Sequence, residues 1–187
     1  CCLSSLITGM DLTIANLAIP SIRSDLAASA AHTQWVIAIY ALVVASLQLL
    51  GGAAGDRFGR RRVLQIGMAI FMVGSLLCSL APSIDMLIVA RALQAFGASM
   101  MNPVALAIIA QVFVVPDERA RAMGIWGAVF GASLALGPVV GGFLIDLFGW
   151  RSVFWINIPV GVVAIVLCAL LVPESRSATV RGIDPVG

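Results

Sequence analysis

The chain has 187 residues, of which 61% are hydrophobic and 11% are charged, and its net charge is +2. An ordinary globular domain has roughly 45–50% apolar and about 25% charged residues, and the mean hydropathy here is +1.08. This composition excludes a soluble enzyme, a disordered segment and a nucleic-acid-binding domain, and it indicates an integral membrane protein.

Apolar runs of the length that crosses a bilayer, about 17–25 residues, occur along the whole chain. Six are predicted, at Cys2–Ile19, Gln34–Ala54, Val63–Leu80, Ile84–Val115, Met123–Leu147 and Val153–Val172. The fourth is overlong and contains Pro103, so we expect one kinked helix there. Turn-forming links are predicted at Gly55–Gly59, Pro82-Ser83, Pro116–Glu118 and Phe148–Trp150. No strand alternation is visible, and the pattern predicts an all-α membrane protein.

The basic residues, all arginine, collect on one side of this topology. That side holds Arg57, Arg60, Arg61, Arg62, Arg119, Arg121, Arg176 and Arg181, and the other side holds Arg23 and Arg151. Because short cytoplasmic loops carry the positive excess, we expect both ends of the chain to be cytoplasmic. Residues 1–172 are then a six-helix transmembrane domain and residues 173–187 a cytoplasmic linker, and Trp35, Trp150 and Trp155 fall at the outer boundary.

An internal repeat relates the two halves of this domain. Residues 51–80 match residues 141–170 in order: Gly51-Gly52 aligns with Gly141-Gly142, Asp56 with Asp146, Phe58-Gly59 with Phe148-Gly149, and Val63 with Val153. The match places spans one to three on spans four to six. Because three is an odd number, the two copies must have opposite orientations, which predicts two inverted three-helix repeats of the kind found in transporters.

Two charged residues lie inside predicted spans, Asp11 in the first and Arg91 in the fourth. A charge at the membrane centre costs about 2.5–3.5 kcal/mol on insertion scales, so each needs a partner or a wet cavity. The two residues lie at similar depths, and helical stripes extend from them through Ser4 and Thr8, and through Gln94 and Asn102. Two interpretations follow: a polar cavity in which Asp11 exchanges a proton against cargo, or a permanent structural ion pair.

The link between spans two and three is the most patterned segment of the chain. Gly51 and Gly55 permit close helix approach, Gly59 allows a tight turn, and Asp56 is expected just before span three, at its positive N-terminal dipole. If the segment only fixed the orientation of the helices in the membrane, it would need the arginines and nothing more. The additional pattern favours a charged hinge between two helices.

Span five is rich in glycine and contains one proline. Gly127, Gly131, Gly141 and Gly142 can let backbones pack closely, and Gly137-Pro138 predicts a kink. Close packing and a bend that moves during transport are both open interpretations.

Several of these segments resemble the signatures of the major facilitator superfamily. Residues 51–61 resemble its G-x-x-x-G-D-R-x-G-R-[RK] motif, and residues 91–97 are similar to its R-x-x-Q-x-x-G motif. Gly137-Pro138 with Gly141-Gly142, and Gly124 upstream, resemble the span-five motif of antiporters. Residues 11–20 and 150–161 look like signatures of the fourteen-span drug:proton antiporter branch.

The resemblance implies the N-terminal half of a major facilitator fold, within a plasma-membrane antiporter that exports lipophilic or cationic compounds against protons by alternating access. It implies proton coupling and a polar cavity at Asp11, Arg91, Gln94, Asn102 and Asn16, and a cytoplasmic gate at Gly51, Gly55, Asp56, Arg57, Gly59, Arg60 and Arg61. The implied partners are substrate, protons, lipid and a second half outside this sequence, with no nucleic acid.

Other functions remain as alternatives. A nutrient symporter or uniporter of the same fold is the nearest, and an inactive six-span fragment is another. An enzyme is not expected, because His32 falls in an outer loop and no two carboxylates lie deep in the spans. The four cysteines form no C-x-x-C pattern, so neither a metal nor a cofactor is expected.

Overall fold

The structure is a computed structural model that describes residues 1–172, and these contain helices and no strand. The helices are α1 (Cys2–Asp25), α2 (Ala30–Phe58), α3 (Arg60–Ser79), α4 (Ile84–Val112), α5 (Pro116–Phe148), α6 (Ser152–Trp155) and α7 (Asn157–Leu171). The last two form one apolar segment, so the described residues contain six helices long and apolar enough to cross a membrane. The predicted all-α fold with six spans is confirmed, and the predicted linker at 173–187 lies outside the described residues.

Two predicted links are wrong in length, because the helices continue through them. α2 extends to Phe58, which leaves Gly59 alone between α2 and α3 with φ of 105°. Glycine adopts this backbone conformation without a Cβ clash. Pro116 is the first residue of α5, and Asp117 and Glu118 occupy its first turn. Proline is tolerated there because its missing N–H would have no helical partner, and the acidic charges are favoured by the helix dipole.

Two further span boundaries also differ from the predictions. α3 begins at Arg60 instead of Val63, and α4 ends at Val112 instead of Val115. Hydropathy places the ends of a span where the charges begin. A helix begins and ends where its backbone hydrogen bonds do, so α3 starts among the arginines and α4 stops before the apolar run does.

The two three-helix repeats pack against each other reciprocally. α2 of the first repeat lies along α4, the first helix of the second repeat, and α5 of the second lies along α1 of the first. Glycines make both approaches possible: a Cβ on Gly55 would lie 2.9 Å from Val104, and one on Gly141 would lie 3.0 Å from Ile14. The inverted-repeat prediction is confirmed in this exchange of equivalent contacts.

Two arginines at equivalent repeat positions make the same exchange. Arg61, at the start of α3, donates from Nη2 to the carbonyl of Ala169 near the end of α7 at 2.7 Å. Arg151, just before α6, donates from Nη2 to the carbonyl of Ala81 just after α3 at 3.2 Å. Carbonyls at a helix C-terminus lack helical partners, so each arginine satisfies one at the end of the other repeat's third helix.

The interior has a polar layer between two apolar clusters. One cluster contains Ile7, Phe71 and Ala98, and the other contains Ile14, Cys78 and Leu87. On each of α1, α3 and α4, the residues between the two clusters include buried polar side chains, namely Asp11, Ser75, Arg91 and Gln94. The helices therefore hold a buried polar site between the two apolar clusters.

Candidate functional site

Asp11 and Arg91 form an ion pair at the centre of the bundle. Arg91 Nη1 donates to Asp11 Oδ2 at 2.7 Å, and each side chain is 2% exposed. α1 and α4 bring these residues to the same depth, as the spacing from the helix ends predicted. The ion pair of the second interpretation is thus formed in this structure, while the proton-exchange role remains a prediction.

Gln94 completes the contacts of the pair from one helical turn further along α4. Its Oε1 accepts from Arg91 Nη1 at 2.7 Å, and its Nε2 donates to Asp11 Oδ1 at 2.8 Å. Arg91 and Gln94 are three residues apart, so they lie on the same face of the helix and reach the same carboxylate. The R-x-x-Q spacing therefore has a direct geometric purpose here.

Two residues that sequence reasoning missed close a ring of hydrogen bonds around Asp11. Asn157 Nδ2 donates to Asp11 Oδ1 at 3.2 Å and to Ser75 Oγ at 2.9 Å, and Gln94 Nε2 donates to the same Ser75 oxygen at 2.6 Å. Asp11, Asn157, Ser75 and Gln94 are all buried. We call these four residues the carboxylate ring.

Asn157 lies where the helical hydrogen-bond ladder of the sixth span is broken, although Ile156 before it keeps helical dihedral angles. Pro159 has no N–H to donate to the carbonyl of Trp155, four residues earlier, so the regular helical ladder is broken there. Accordingly α6 ends at Trp155 and α7 begins at Asn157. An asparagine two residues before a proline inside an apolar span was the available signal for this residue, whereas Ser75 is indistinguishable in sequence from any small helical residue.

Aromatic rings and a backbone carbonyl surround the remainder of the Arg91 guanidinium. Its Cζ lies 4.3 Å from the centroid of the Tyr40 ring and 5.8 Å from that of Phe154, and its Nε donates to the carbonyl of Val36 at 3.5 Å. A guanidinium face against an aromatic ring is a favourable cation–π arrangement, and more so away from water. Arg91 is therefore stabilised from α1, α2, α4 and α6.

Two residues expected in the same site lie outside the ring. Asn16 is exposed, and its Nδ2 donates to the carbonyl of Leu12 in its own helix at 2.9 Å. Asn102 is half-buried, and its Oδ1 accepts from Thr8 Oγ1 at 3.4 Å. Asn16 lies about one and a half helical turns from Asp11 on α1, and Asn102 lies about three turns from Arg91 on α4, so neither amide belongs to the ring.

The charged hinge is centred on Arg60, the first residue of α3. Its Nε and Nη2 donate to Asp56 Oδ1 at 3.0 and 2.8 Å, and its Nη1 donates to the Ala107 carbonyl at 2.9 Å and to Gln111 Oε1 at 2.7 Å. One guanidinium thus joins the ends of α2, α3 and α4. Arg57 extends from the hinge over the ring of Phe58, with 5.5 Å between Cζ and the centroid.

The predicted placement of Asp56 before α3 is wrong. Asp56 lies in the last turn of α2, because that helix continues to Phe58, and its side chain is 50% exposed. The favourable interaction of this carboxylate is its ion pair with Arg60, not the dipole of α3. An ion pair this exposed contributes about 0–1 kcal/mol, so it can be exchanged for another partner at low cost.

The span-five glycines divide into two groups. Gly137 and Gly141 are buried against α1, where an added Cβ would clash with Thr13 and contact Ile14. Around Gly124, Gly127 and Gly131, a Cβ would meet nothing within 4 Å among the described residues. Pro138 is exposed and lies within the continuous α5 helix. Close packing therefore accounts for the motif residues Gly137 and Gly141, and not for Gly124.

Comparison with known proteins identifies the family. The model of the Major Facilitator Superfamily matches residues 1–185. The chain belongs to this superfamily. It is 38% identical to the multidrug resistance protein Stp of Mycobacterium tuberculosis over 178 residues, which cover 95% of the chain and 33% of that protein.

A second relative and a solved structure agree with this assignment. The chain is 41% identical to the multidrug efflux pump LfrA of Mycolicibacterium smegmatis over 181 residues, covering 97% of the chain and 36% of that protein. The inward-open xylose transporter XylE of E. coli matches with a TM-score of 0.81 at 19% identity, over 93% of the chain and 47% of that structure, which supports the fold alone. The chain spans about a third of the length of the curated relatives it matches.

Proposed function

We propose that this chain is the N-terminal half of a proton-coupled antiporter that exports small lipophilic or cationic compounds by alternating access in the plasma membrane, with both ends of the half cytoplasmic. The observation that carries the proposal is the buried carboxylate of Asp11, held by Arg91 and Gln94 in the middle of the bundle. The relatives described as multidrug resistance and efflux proteins support the substrate class.

The chemistry of the carboxylate ring suits proton exchange. Asp11 accepts hydrogen bonds on both oxygens, from Arg91, Gln94 and Asn157, and each donor favours the charged carboxylate. A proton on Asp11 would occupy one of these acceptor positions, so protonation must weaken at least one contact between helices. Loading a proton and rearranging the helices are then linked events.

Burial gives this linkage a substantial energy. Removing one partner of a buried ion pair costs about 3–5 kcal/mol, because the other charge is left uncompensated. Neutralising Asp11 by protonation leaves Arg91 with Gln94, the Val36 carbonyl and the ring of Tyr40 as partners. We infer that water or cargo enters beside Arg91 when Asp11 is protonated, which opens the site.

The test is pH-gradient-driven efflux by the complete transporter that contains this chain, in inverted membrane vesicles with ethidium as the probe. Asp11→Asn should abolish the response of efflux to an imposed gradient, and Asp11→Glu should keep the response at a lower rate. Asp85→Asn is the matched control, since Asp85 is an exposed residue in the first turn of α4 and its loss should leave the response unchanged.

Membrane-inserted protein is quantified for each variant, so that loss of insertion is separated from loss of coupling. Efflux by Asp11→Asn at the wild-type rate and with the wild-type gradient dependence would overturn the proposal. Accumulation of ethidium with the proton, in place of exchange against it, would favour a symporter of the same fold.

A further inference from the structure

We propose that Asn157 and Ser75 are positioning residues that set the pH at which Asp11 exchanges its proton. This inference rests on the proposed function and deepens it. Neither residue carries a charge, and they lie on the third helix of each repeat, Ser75 on α3 and Asn157 at the start of α7. Both contact the ring that encloses the Asp11 carboxylate.

The ring distributes its donors and acceptors in a particular way. The amide nitrogens of Gln94 and Asn157 each carry two hydrogens, and each donates once to Asp11 Oδ1 and once to Ser75 Oγ. Asp11 Oδ1 and Ser75 Oγ are therefore parallel acceptors for the same two amides. Ser75 holds both amides beside the carboxylate, and it continues to accept from them when Asp11 is protonated.

This arrangement solves a problem that a buried titratable carboxylate otherwise creates. When the carboxylate becomes neutral, its hydrogen bonds weaken, and buried donors without acceptors are costly, at about 1–3 kcal/mol each. Ser75 accepts the other hydrogen of each amide, so each amide keeps one full hydrogen bond when its bond to Asp11 weakens. The ring can thus be retained in both protonation states, and the difference between the states is concentrated on the contacts made to Asp11.

Asn157 contributes the more sensitive of the two amide contacts. Its bond to Asp11 Oδ1 is 3.2 Å, against 2.8 Å for that of Gln94, and it comes from a helix interrupted one residue earlier. The Asn157 amide donates to this carboxylate, and such a donor stabilises the charged form of an acid. Removing it should allow protonation at a higher pH.

Other titratable and charged groups lie around Asp11 on the neighbouring helices. Arg91 on α4, Tyr40 on α2 and Cys78 on α3 interact electrostatically with the pair. The sequence of α6 and α7 contains no charged residue. The charged residues of α5 lie in its first two turns and its last turn, at Asp117, Glu118, Arg119, Arg121 and Asp146. The described part of the sixth span therefore brings no charge to the Asp11 site, and its hydrogen bonds there come from the uncharged amide of Asn157.

The experiment measures proton release by the purified complete transporter on addition of tetraphenylphosphonium, with a pH indicator, between pH 5 and 9. Asn157→Leu should raise the midpoint of the release by about one pH unit, as expected for the loss of one hydrogen bond to a charged group. Ser75→Ala should raise it in the same direction, because both amides lose their anchor. Ser79→Ala is the matched control, since the buried Ser79 hydroxyl donates at 2.6 Å to the carbonyl of Leu76 in its own helix, and its midpoint should be that of the wild type.

Asn157→Asp keeps the shape of the side chain and tests its chemistry. The new carboxyl would lie beside Asp11 Oδ1, and two neighbouring carboxylates resist simultaneous ionisation. Its midpoint should rise further than that of Asn157→Leu. The hydrogen-bonding role itself is tested by Asn157→Leu, for which a purely structural role predicts the wild-type midpoint.

The results separate the two proposals. If Asp11→Asn abolishes release while Asn157→Leu and Ser75→Ala keep the wild-type midpoint, the positioning role is refuted and the proposed function stands. If Asp11→Asn still releases protons, or if the wild type releases none with either tetraphenylphosphonium or ethidium, the proposed function itself is refuted, and the positioning role with it.

Discussion

Gly74 on α3 offers a direct test of how tightly the polar site is held. A Cβ at this position would lie 2.6 Å from the backbone N and Cα of Gln94, on the facing helix. Ordinary van der Waals contact begins at 3.4 Å, so in Gly74→Ala the two helices must separate by roughly 0.8 Å. Backbone atoms cannot rotate away as the end of a flexible side chain can.

The separation acts directly on the ring. Gln94 Nε2 lies 2.6 Å from Ser75 Oγ and 2.8 Å from Asp11 Oδ1, and a shift of this size along those bonds would stretch them to roughly 3.4 and 3.6 Å. At the longer distance the hydrogen bond is lost. Overpacking alone costs about 1–3 kcal/mol, so we expect Gly74→Ala to destabilise the protein by about 2 kcal/mol or more.

The assay is thermal unfolding of the complete transporter in detergent. Unfolding is monitored by the reaction of a fluorescent maleimide with the Cys78 thiol, which is buried in the folded protein. A loss of about 2 kcal/mol corresponds to a Tm lower by about 4–8 °C for a unit of this size. Gly52→Ala is the matched control, because its Cβ would lie 3.6 Å from Pro103, an ordinary contact. There the better helix propensity of alanine should leave stability unchanged or raise it by up to about 1 kcal/mol.

An unchanged Tm for Gly74→Ala would refute the close approach of α3 and α4 at this point. If Gly74→Ala and Gly52→Ala both lower the Tm, the helices are generally intolerant of alanine, and the result does not support a close approach specific to Gly74. The expected result is a lowered Tm for Gly74→Ala alone, together with a changed pH midpoint of proton release in that variant.

Three other predictions concern the ends of the helices. Arg61→Ala and Arg151→Ala should each lower the Tm, because each variant loses a charged donor to a helix-end carbonyl. Such a hydrogen bond contributes at most about 1.5–3 kcal/mol, and less where water competes for the groups. Wild-type Tm values for both variants would refute the reciprocal contacts. Arg151→Ala should also make stability less sensitive to salt, because it removes the exposed ion pair with Asp25 at 2.6 Å, which is measured as the Tm difference between 0.05 and 1 M salt. Asp56→Asn should shift the complete transporter toward the inward-open state by releasing Arg60, as measured by spin-label distances across the cytoplasmic side; unchanged distances with normal transport would leave this segment with a role in topology alone.

The residues that sequence reasoning placed correctly are those whose presence in a membrane span is costly. Asp11 and Arg91 stand out because an intramembrane charge requires a partner, and their depths can be counted from the helix ends. Gln94 follows from helical spacing. Ser75 could not be found in this way, because a serine hydroxyl in an apolar helix commonly bonds its own backbone and so gives no sign of a distant partner. Tyr40 could not be found either, because its contact with Arg91 is made by the face of its aromatic ring.

Span boundaries were the other limit of the sequence. The charges of Asp56 and Arg57 marked the end of the apolar run at Ala54, yet α2 continues for one more turn to Phe58. A helix end depends on backbone geometry, here the positive φ of Gly59, and hydropathy reports only where the apolar surface ends. The consequence is functional, since it moves Asp56 from the start of α3 to the end of α2 and makes Arg60 its partner.

The architecture is symmetric, and the chemistry of the site is not. The repeat aligns Asp11 with Met101 and Asn157 with Gly67, so neither polar residue has a polar equivalent in the other copy. The first repeat supplies Asp11 and Ser75 to the site, and the second supplies Arg91, Gln94 and Asn157. Apart from the Arg91–Gln94 bond, each hydrogen bond named here within this set joins one repeat to the other. A change in the charge of Asp11 therefore acts on contacts between helices of different repeats, which is where a small local event can become a relative movement of helices.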